Sequence, residues 1–230
     1  MNAIGTWYPG GPYEYTRAED FIIDFRTDSE VCAALLPPVL EPDPDARAWL
    51  RVSRHANSSF GPYIGAYIGL YAVDRGESVR YILTGLKTDF MGVAAAREVW
   101  GFPYGLGSVT MQWQGNALSV AISGAAGEQH AQVYLQTLRR ASDSPPGVGA
   151  RYSARRPTFT GADSPNLLLR AQNAYDLGDA DVWEARASLQ LMQGTALDDW
   201  SVVPVREVLR SEYRRGGRSS LAHAEVVAQW

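Results

Sequence analysis

The residues with the greatest capacity for chemistry gather around Ala96-Arg97-Glu98-Val99-Trp100-Gly101-Phe102-Pro103-Tyr104-Gly105-Leu106-Gly107. This stretch runs from the end of a helical pattern, through a Gly/Pro turn, into a segment that reads as β. Such a turn carries side chains to the mouth of a sheet. Tyr104 offers a hydrogen bond to a substrate carbonyl, or a general acid with Glu98 or Glu14 as its carboxylate partner; its plainer role is to line a cavity. Arg97 and Glu98 read more simply as an ion pair holding the loop. Glu14 is either an acid or base with a raised pKa or an exposed rim carboxylate. His55, His130 and His223 read as solvent-facing, and no His/Cys/carboxylate spacing has the form of a metal site. The Gly-x-Ser-x-Gly elbow is missing. The glycines at 101, 105 and 107 precede a strand, whereas a dinucleotide fingerprint must open a helix.

The elements that position these residues are mostly β. Phe21 to Arg26, Ala46 to Ala56, Tyr63 to Val73 and Val79 to Leu86 read as strands, the last two as a hairpin across Asp74 to Glu77. Further strands are expected at Ser108 to Trp113, Ala117 to Ser123, Gln129 to Arg139, Asn166 to Tyr175, Val182 to Leu191 and Val202 to Tyr213. Thr27-Asp28-Ser29-Glu30 has the form of a capping box opening a short helix that stops at Pro37-Pro38. Asp89 to Val99 is a second helix, and Ser220 to Gln229 is expected to be a third. Residues 63, 65, 67, 69 and 71 share one face of their strand. That face carries Gly65 and Gly69 between tyrosines, which leaves room for a ligand. Ser142 to Gly149 is a Pro/Gly/Ser loop. With no repeat and no break in composition, the chain is expected to be one domain over residues 1–230. Its fold class is mainly β (α+β): an antiparallel barrel or closed double sheet with a few short helices.

Bulk properties narrow the partners. The net charge is −4 and the hydrophobic fraction 46%, with no basic stripe, which argues against nucleic acid. The single cysteine, Cys32, fits a reducing compartment. No apolar run is long enough to span a bilayer, and the first residues lack the form of a signal peptide. The expectation is a cytoplasmic protein that does not engage membranes.

Four pieces in order carry a family resemblance. They are Gly11-Pro12-Tyr13-Glu14-Tyr15 through Leu40-Glu41-Pro42, Phe60-Gly61-Pro62-Tyr63, Ala96 to Pro103, and Trp183 to Leu191 with Val203-Pro204-Val205-Arg206-Glu207-Val208. Together they resemble the acetoacetate decarboxylase family over most of the chain. The resemblance implies a site in which two lysines follow Phe-Pro, the first forming a Schiff base with a ketone and the second lowering its pKa. Here those positions are Tyr104 and Gly105. By the same alignment the family's carboxylate-steering arginine falls on Glu14, and its two glutamates on Gly65 and Leu50. The only lysine in the chain, Lys87, does not align with the nucleophile.

The resemblance with these replacements implies an enzyme of secondary metabolism that works without a Schiff base and without a cofactor. Leu50, Tyr63, Gly65, Arg97, Trp100 and Phe102 would bind a largely apolar, polyketide-like molecule in a roomy, dry barrel cavity. Tyr104, Glu14 and Glu98 would carry the chemistry, a cyclisation of pericyclic or addition type or a dehydration. A carrier or sensor on the same fold explains the lost residues equally well. A residual decarboxylase using Lys87 is a third reading. The family habit implies a homo-oligomer.

Overall fold

Alternating small and β-branched residues with tyrosines produce long strands, and those strands close on themselves. The computed structural model describes residues 8, 11–141, 151–155, 165–176, 178, 180–195 and 198–230. Strand β1 (Tyr13–Arg26) leads to helix α1 (Ser29–Leu35), a two-residue β2 (Glu41–Pro42), and the meander β3 (Arg47–Ser58), β4 (Tyr63–Asp74) and β5 (Glu77–Lys87). Helix α2 (Phe90–Val99) crosses over to β6 (Tyr104–Gln114). The hairpin strands β7 (Ala117–Gly124) and β8 (Gln129–Arg140) come next, then β9 (Arg151–Arg155), β10 (Leu167–Ala171), β11 (Asn173–Asp176) and β12 (Asp181–Leu191). A 3-10 turn at Trp200–Val202 precedes β13 (Glu207–Arg215), β14 (Arg218–Leu221) and β15 (Glu225–Gln229).

Nine strands form a closed barrel, β5-β6-β7-β8-β12-β13-β1-β3-β4 and back to β5. All neighbours are antiparallel except β5 and β6, which run parallel with Gly85 opposite Tyr104 and Lys87 opposite Leu106. A parallel pair requires a crossover, and α2 supplies it. Asp89 caps α2, its carboxylate accepting from the Gly92 amide at 2.8 Å. Strands β9, β10 and β15 branch away from β5, and β11 and β14 extend the beginning of β1.

Strand periodicity sorts the side chains into two clusters. Phe21, Ile23, Leu50, Val52, Ile68 and Leu70 pack with Val120, Ile122 and Val133 from the far wall, so this aliphatic cluster fills the barrel. The alternate residues Trp49, Tyr63, Tyr67 and Tyr71 join Tyr15, Trp100, Phe102 and Tyr104 in a second, aromatic cluster. That cluster lies on the opposite face of the same strands, beneath β9, β11, β14 and the end of α2.

Several boundaries differ from the sequence reading for identifiable reasons. Residues 220–229 are two strands instead of a helix: β15 pairs antiparallel with β10, and Arg170 clasps Glu225 across the pair. The open edge of β10 overrides the local helical pattern. The segment 166–175 divides into β10 and β11 around Gln172, and only the 207–213 part of the 202–213 segment is strand. Helix α1 forms without a capping box, because its N-cap is Asp28, whose carboxylate receives the Arg206 guanidinium at 2.7 and 2.8 Å. The expected loop 142–149 lies outside the described residues. Among the described residues no helix is long and apolar enough to cross a membrane.

Candidate functional site

The turn after α2 delivers Tyr104 to the aromatic side of β5. Gly101 takes a left-handed φ of 65°, and the Phe102 amide returns to the Ala96 carbonyl at 2.9 Å, folding the chain back at the helix end. Arg97 donates to the Tyr104 carbonyl at 3.2 Å. The Tyr104 ring stacks on Tyr67, centroids 5.5 Å apart and planes 14° from parallel. Only glycine fits beneath that stack: a Cβ at Gly85 would lie 2.8 Å from both Tyr104 Cε1 and Tyr67 Cβ.

Around this stack lies an enclosed cavity lined by Tyr15, Arg51, His55, Tyr63, Tyr67, Lys87, Trp100, Phe102, Tyr104, Arg151, Asn173, Tyr175, Ser219 and Leu221. It holds about 30 Å³ of open space, room for about two waters. A larger groove of about 230 Å³ shares the wall formed by Tyr15, Tyr175 and Ser219.

The decisive group is Lys87. Its residue is 4% exposed. Nζ donates to Tyr63 Oη at 3.4 Å and sits 4.4 Å from the Tyr63 ring centroid and 5.5 Å from that of Tyr104. Burial, reinforced by the Arg151 charge and opposed by Asp89, brings its pKa down to about 7. A large share of the amine is therefore unprotonated at neutral pH and free to attack a carbonyl.

Two guanidinium groups accompany it. Arg51 pairs with Asp20 at 3.0 Å, and both are buried. Arg151 has no carboxylate partner among the described residues and lies 5.4 Å over the Tyr67 ring. Both donate to Tyr175 Oη, Arg51 Nη1 at 2.9 Å and Arg151 Nη2 at 3.1 Å, and Asn173 Nδ2 adds a third contact at 3.3 Å. Tyr104 Oη is buried without a hydrogen-bond partner, and burial first, then Tyr67, pushes its pKa well up. It remains a neutral donor. His55 is held neutral by burial and by Arg51, Lys87 and Arg151.

The sequence-derived residues scatter relative to this cavity. Tyr63, Trp100, Phe102 and Tyr104 line it. Arg97 acts at one remove through the Tyr104 carbonyl. Leu50 does not line it: odd-numbered residues of β3 face the cavity, so Leu50 points into the barrel core and Arg51 takes the place expected for it. Glu14 is an exposed residue on the neighbouring groove. Glu98 is exposed and accepts from Tyr8 Oη at 2.8 Å. Arg97 and Glu98 therefore do not form the expected ion pair.

The space beside Gly69 is already taken, and that beside Gly65 is bounded by the Tyr67 ring and the Lys87 stem at ordinary contact distance. A Cβ at Gly65 would touch the Lys87 stem at 3.6 Å, and one at Gly69 would collide with Trp49 at 2.5 Å. Two of the three histidines differ as well, while His223 is exposed as expected. His55 is buried in the cavity, and His130 is fully buried elsewhere, stacked on Trp200 with Asp198 and Glu128 each 3.6 Å away. The expectation of a roomy, apolar barrel cavity gives way to a small, cationic one outside the barrel wall. Sequence reasoning missed Arg51, Arg151 and Tyr175, whose only common signal is a position on a strand.

Comparison with known proteins agrees with this architecture. The family model described as acetoacetate decarboxylase matches residues 5–229. An acetoacetate decarboxylase from Chromobacterium violaceum is 25% identical over 229 residues, covering 90% of this chain and 85% of that protein. The crystal structure of acetoacetate decarboxylase from Legionella pneumophila superimposes with a TM-score of 0.85 at 21% identity, covering 100% of this chain and 93% of the other. The enduracididine biosynthesis enzyme MppR complexed with pyruvate gives 0.80 at 15% identity, with 98% and 93% covered. With the family model spanning nearly the whole sequence and the closed barrel shared, the chain belongs to the acetoacetate decarboxylase family.

Proposed function

We propose that the cavity takes a small oxo compound bearing an anionic group, and that Lys87 condenses with its carbonyl. The observation that carries this reading is a buried amine with a pKa of about 7 in the same closed space as two buried guanidinium groups. An amine depressed to this degree by burial and a neighbouring cation is an activated nucleophile. Arg151, which has no carboxylate partner among the described residues, offers its guanidinium to a carboxylate guest.

In the condensation the nitrogen lone pair adds to the carbonyl carbon and one N–H proton passes to oxygen. The C–O bond then breaks as water leaves, with net uptake of one proton from solvent, and an iminium on Lys87 remains. The small volume weighs against an extended polyketide. From the iminium, lyase chemistry in the wide sense is open: an addition that closes or extends a carbon chain, a dehydration, or loss of carbon dioxide. That relatives are named acetoacetate decarboxylase and that a structural neighbour was crystallised with pyruvate support a carboxylate-bearing carbonyl substrate.

A second reading, cyclisation or dehydration with no covalent adduct, rests on Tyr104 Oη, which is buried and unpartnered. There the phenol polarises a carbonyl by hydrogen bonding alone. Borohydride reduction in the presence of pyruvate separates the two readings. A mass increase located on the peptide containing Lys87 is expected, and turnover of substrate with no trappable adduct would leave only the second.

A further inference from the structure

The same cavity contains a tyrosine oxygen surrounded only by donors. Tyr175 Oη faces Arg51 Nη1 at 2.9 Å, Arg151 Nη2 at 3.1 Å and Asn173 Nδ2 at 3.3 Å. A phenol has one proton to give, and with the Asn173 amide as it stands, its Oδ1 buried without a partner, no acceptor among the described residues contacts this one. A phenolate accepts all three bonds and has no proton to place. The charge balance points the same way. Arg51 is matched by Asp20 at 3.0 Å, whereas Arg151 has no carboxylate partner among the described residues.

We propose that Tyr175 stands as a phenolate in the resting protein and is the catalytic base that removes a proton from the carbon next to the substrate carbonyl. The proposal rests on the imine reading above. Two cations are then balanced by Asp20 and Tyr175 before substrate enters. The other shifted groups around the cavity leave that balance unchanged: burial holds His55, Tyr63, Tyr15 and Tyr104 neutral, and Lys87 is free amine when it reacts. A depressed pKa, caused by the two guanidinium groups against the effect of burial, accords with the geometry.

The step balances. The Cα–H bond of the Lys87 iminium breaks and its electron pair forms the carbon–carbon double bond of an enamine. The C=N π pair moves onto nitrogen, and the proton goes to Tyr175 Oη. Tyrosine is now neutral, and the substrate carboxylate becomes the counter-ion of Arg151. Phenolate and carboxylate thus serve the same pair of guanidinium groups in turn. The resulting enamine is the nucleophile for an addition, so the placement of a base here supports carbon–carbon bond formation or dehydration from the same cavity.

Tyr175→Phe is the test, read in two ways. With pyruvate in deuterated water, NMR tracks exchange of the methyl protons, and borohydride trapping tracks the imine. The expected result is an undiminished Lys87 adduct with methyl exchange slowed about 100-fold, the scale of a lost general base. The wild-type near-ultraviolet spectrum at neutral pH should also show a tyrosinate band that the variant lacks. Exchange in the variant as fast as wild type overturns the base role. A neutral tyrosine at neutral pH in the wild-type spectrum, with the Asn173 amide reversed to accept its proton, overturns the phenolate even if the variant fails to fold. Absence of any adduct in the wild type overturns the imine reading instead, while the spectrum still decides the state of Tyr175.

Discussion

Strands β3 and β4 carry unlike chemistry on their two faces. Toward the barrel stand Ala48, Leu50, Val52, Ala66, Ile68 and Leu70, all buried and all apolar. Toward the outside, one residue along in each case, stand Trp49, Arg51, Ser53, Tyr67 and Tyr71. Both faces are almost fully dehydrated, so the distinction is one of polarity and not of exposure. The aliphatic face gains from area removed from water and from close packing. The outer face holds buried cations and phenols that are costly unless paired. Four polar atoms around the cavity, Arg51 Nε, His55 Nδ1, Tyr104 Oη and Asn173 Oδ1, are buried without a partner, so pairing there is incomplete. On the proposed chemistry, the division gives stability to one face and reactivity to the other.

That assignment can be broken most severely at Lys87. Lys87→Met should abolish the borohydride-trappable adduct entirely while raising the melting temperature at neutral pH. The sign comes from linkage: the folded pKa is about 7 against an ordinary value of 10.5. Below pH 7 both states hold the proton and the folded state bears the whole burden of a buried charge. Between 7 and 10.5 the unfolded chain binds more protons, so stability rises with pH, and above 10.5 the difference vanishes. The gain in the variant should therefore be largest at and below pH 7 and fade toward pH 10.5. A variant that melts lower than wild type at pH 7 would contradict the buried amine.

Leu50→Ala tests the other face. Loss of a fully buried leucine in the barrel should cost about 2–5 kcal/mol of stability, measured by chemical denaturation. The adduct yield per folded molecule should be unchanged. A selective loss of adduct would return Leu50 to the site.

Next in size is the pH dependence of condensation. The rate of adduct formation should fall about tenfold for each pH unit below 7 as Lys87 takes up its proton, and level off above it. A flat profile between pH 5 and 8 would remove the free amine from the rate-limiting step. Tyr104→Phe should reduce turnover by about 1–3 kcal/mol of polarisation, roughly 5- to 150-fold, without unfolding the protein. Unchanged turnover would leave Tyr104 as lining only. The smallest effects belong to Glu14→Gln and Glu98→Gln, both exposed, whose kcat/KM should stay within about twofold of wild type.

Sequence and structure overlap unevenly across these regions. The barrel was legible because strands of alternating polarity leave a two-residue signature, and the helix opened by Asp89 carries a cap that local chemistry dictates. The turn at Gly101 to Pro103 was legible for the same local reason. The C-terminal segment was not: Glu225 to Gln229 becomes a strand only because β10 presents an open edge to it. The site divides along the same line. Tyr63, Trp100, Phe102 and Tyr104 are marked by local pattern and family resemblance together. Glu14, Glu98 and Leu50 stand away from the cavity that the sequence reading assigned them to, Leu50 through the face-flipping consequence of a one-residue shift on a strand.

The amino-acid sequence by itself determined the family, the mainly β fold and the tyrosine at the tip of the turn, because each depends on neighbours within a few residues. Only the tertiary structure decided which groups share the cavity with Tyr104. Lys87 reaches it through the parallel register of β5 on β6, across the whole of α2. Arg51, Arg151 and Tyr175 arrive from three further strands far apart in the chain. No local propensity encodes those pairings, since they arise from how a closed barrel and its outer strands bury one common face.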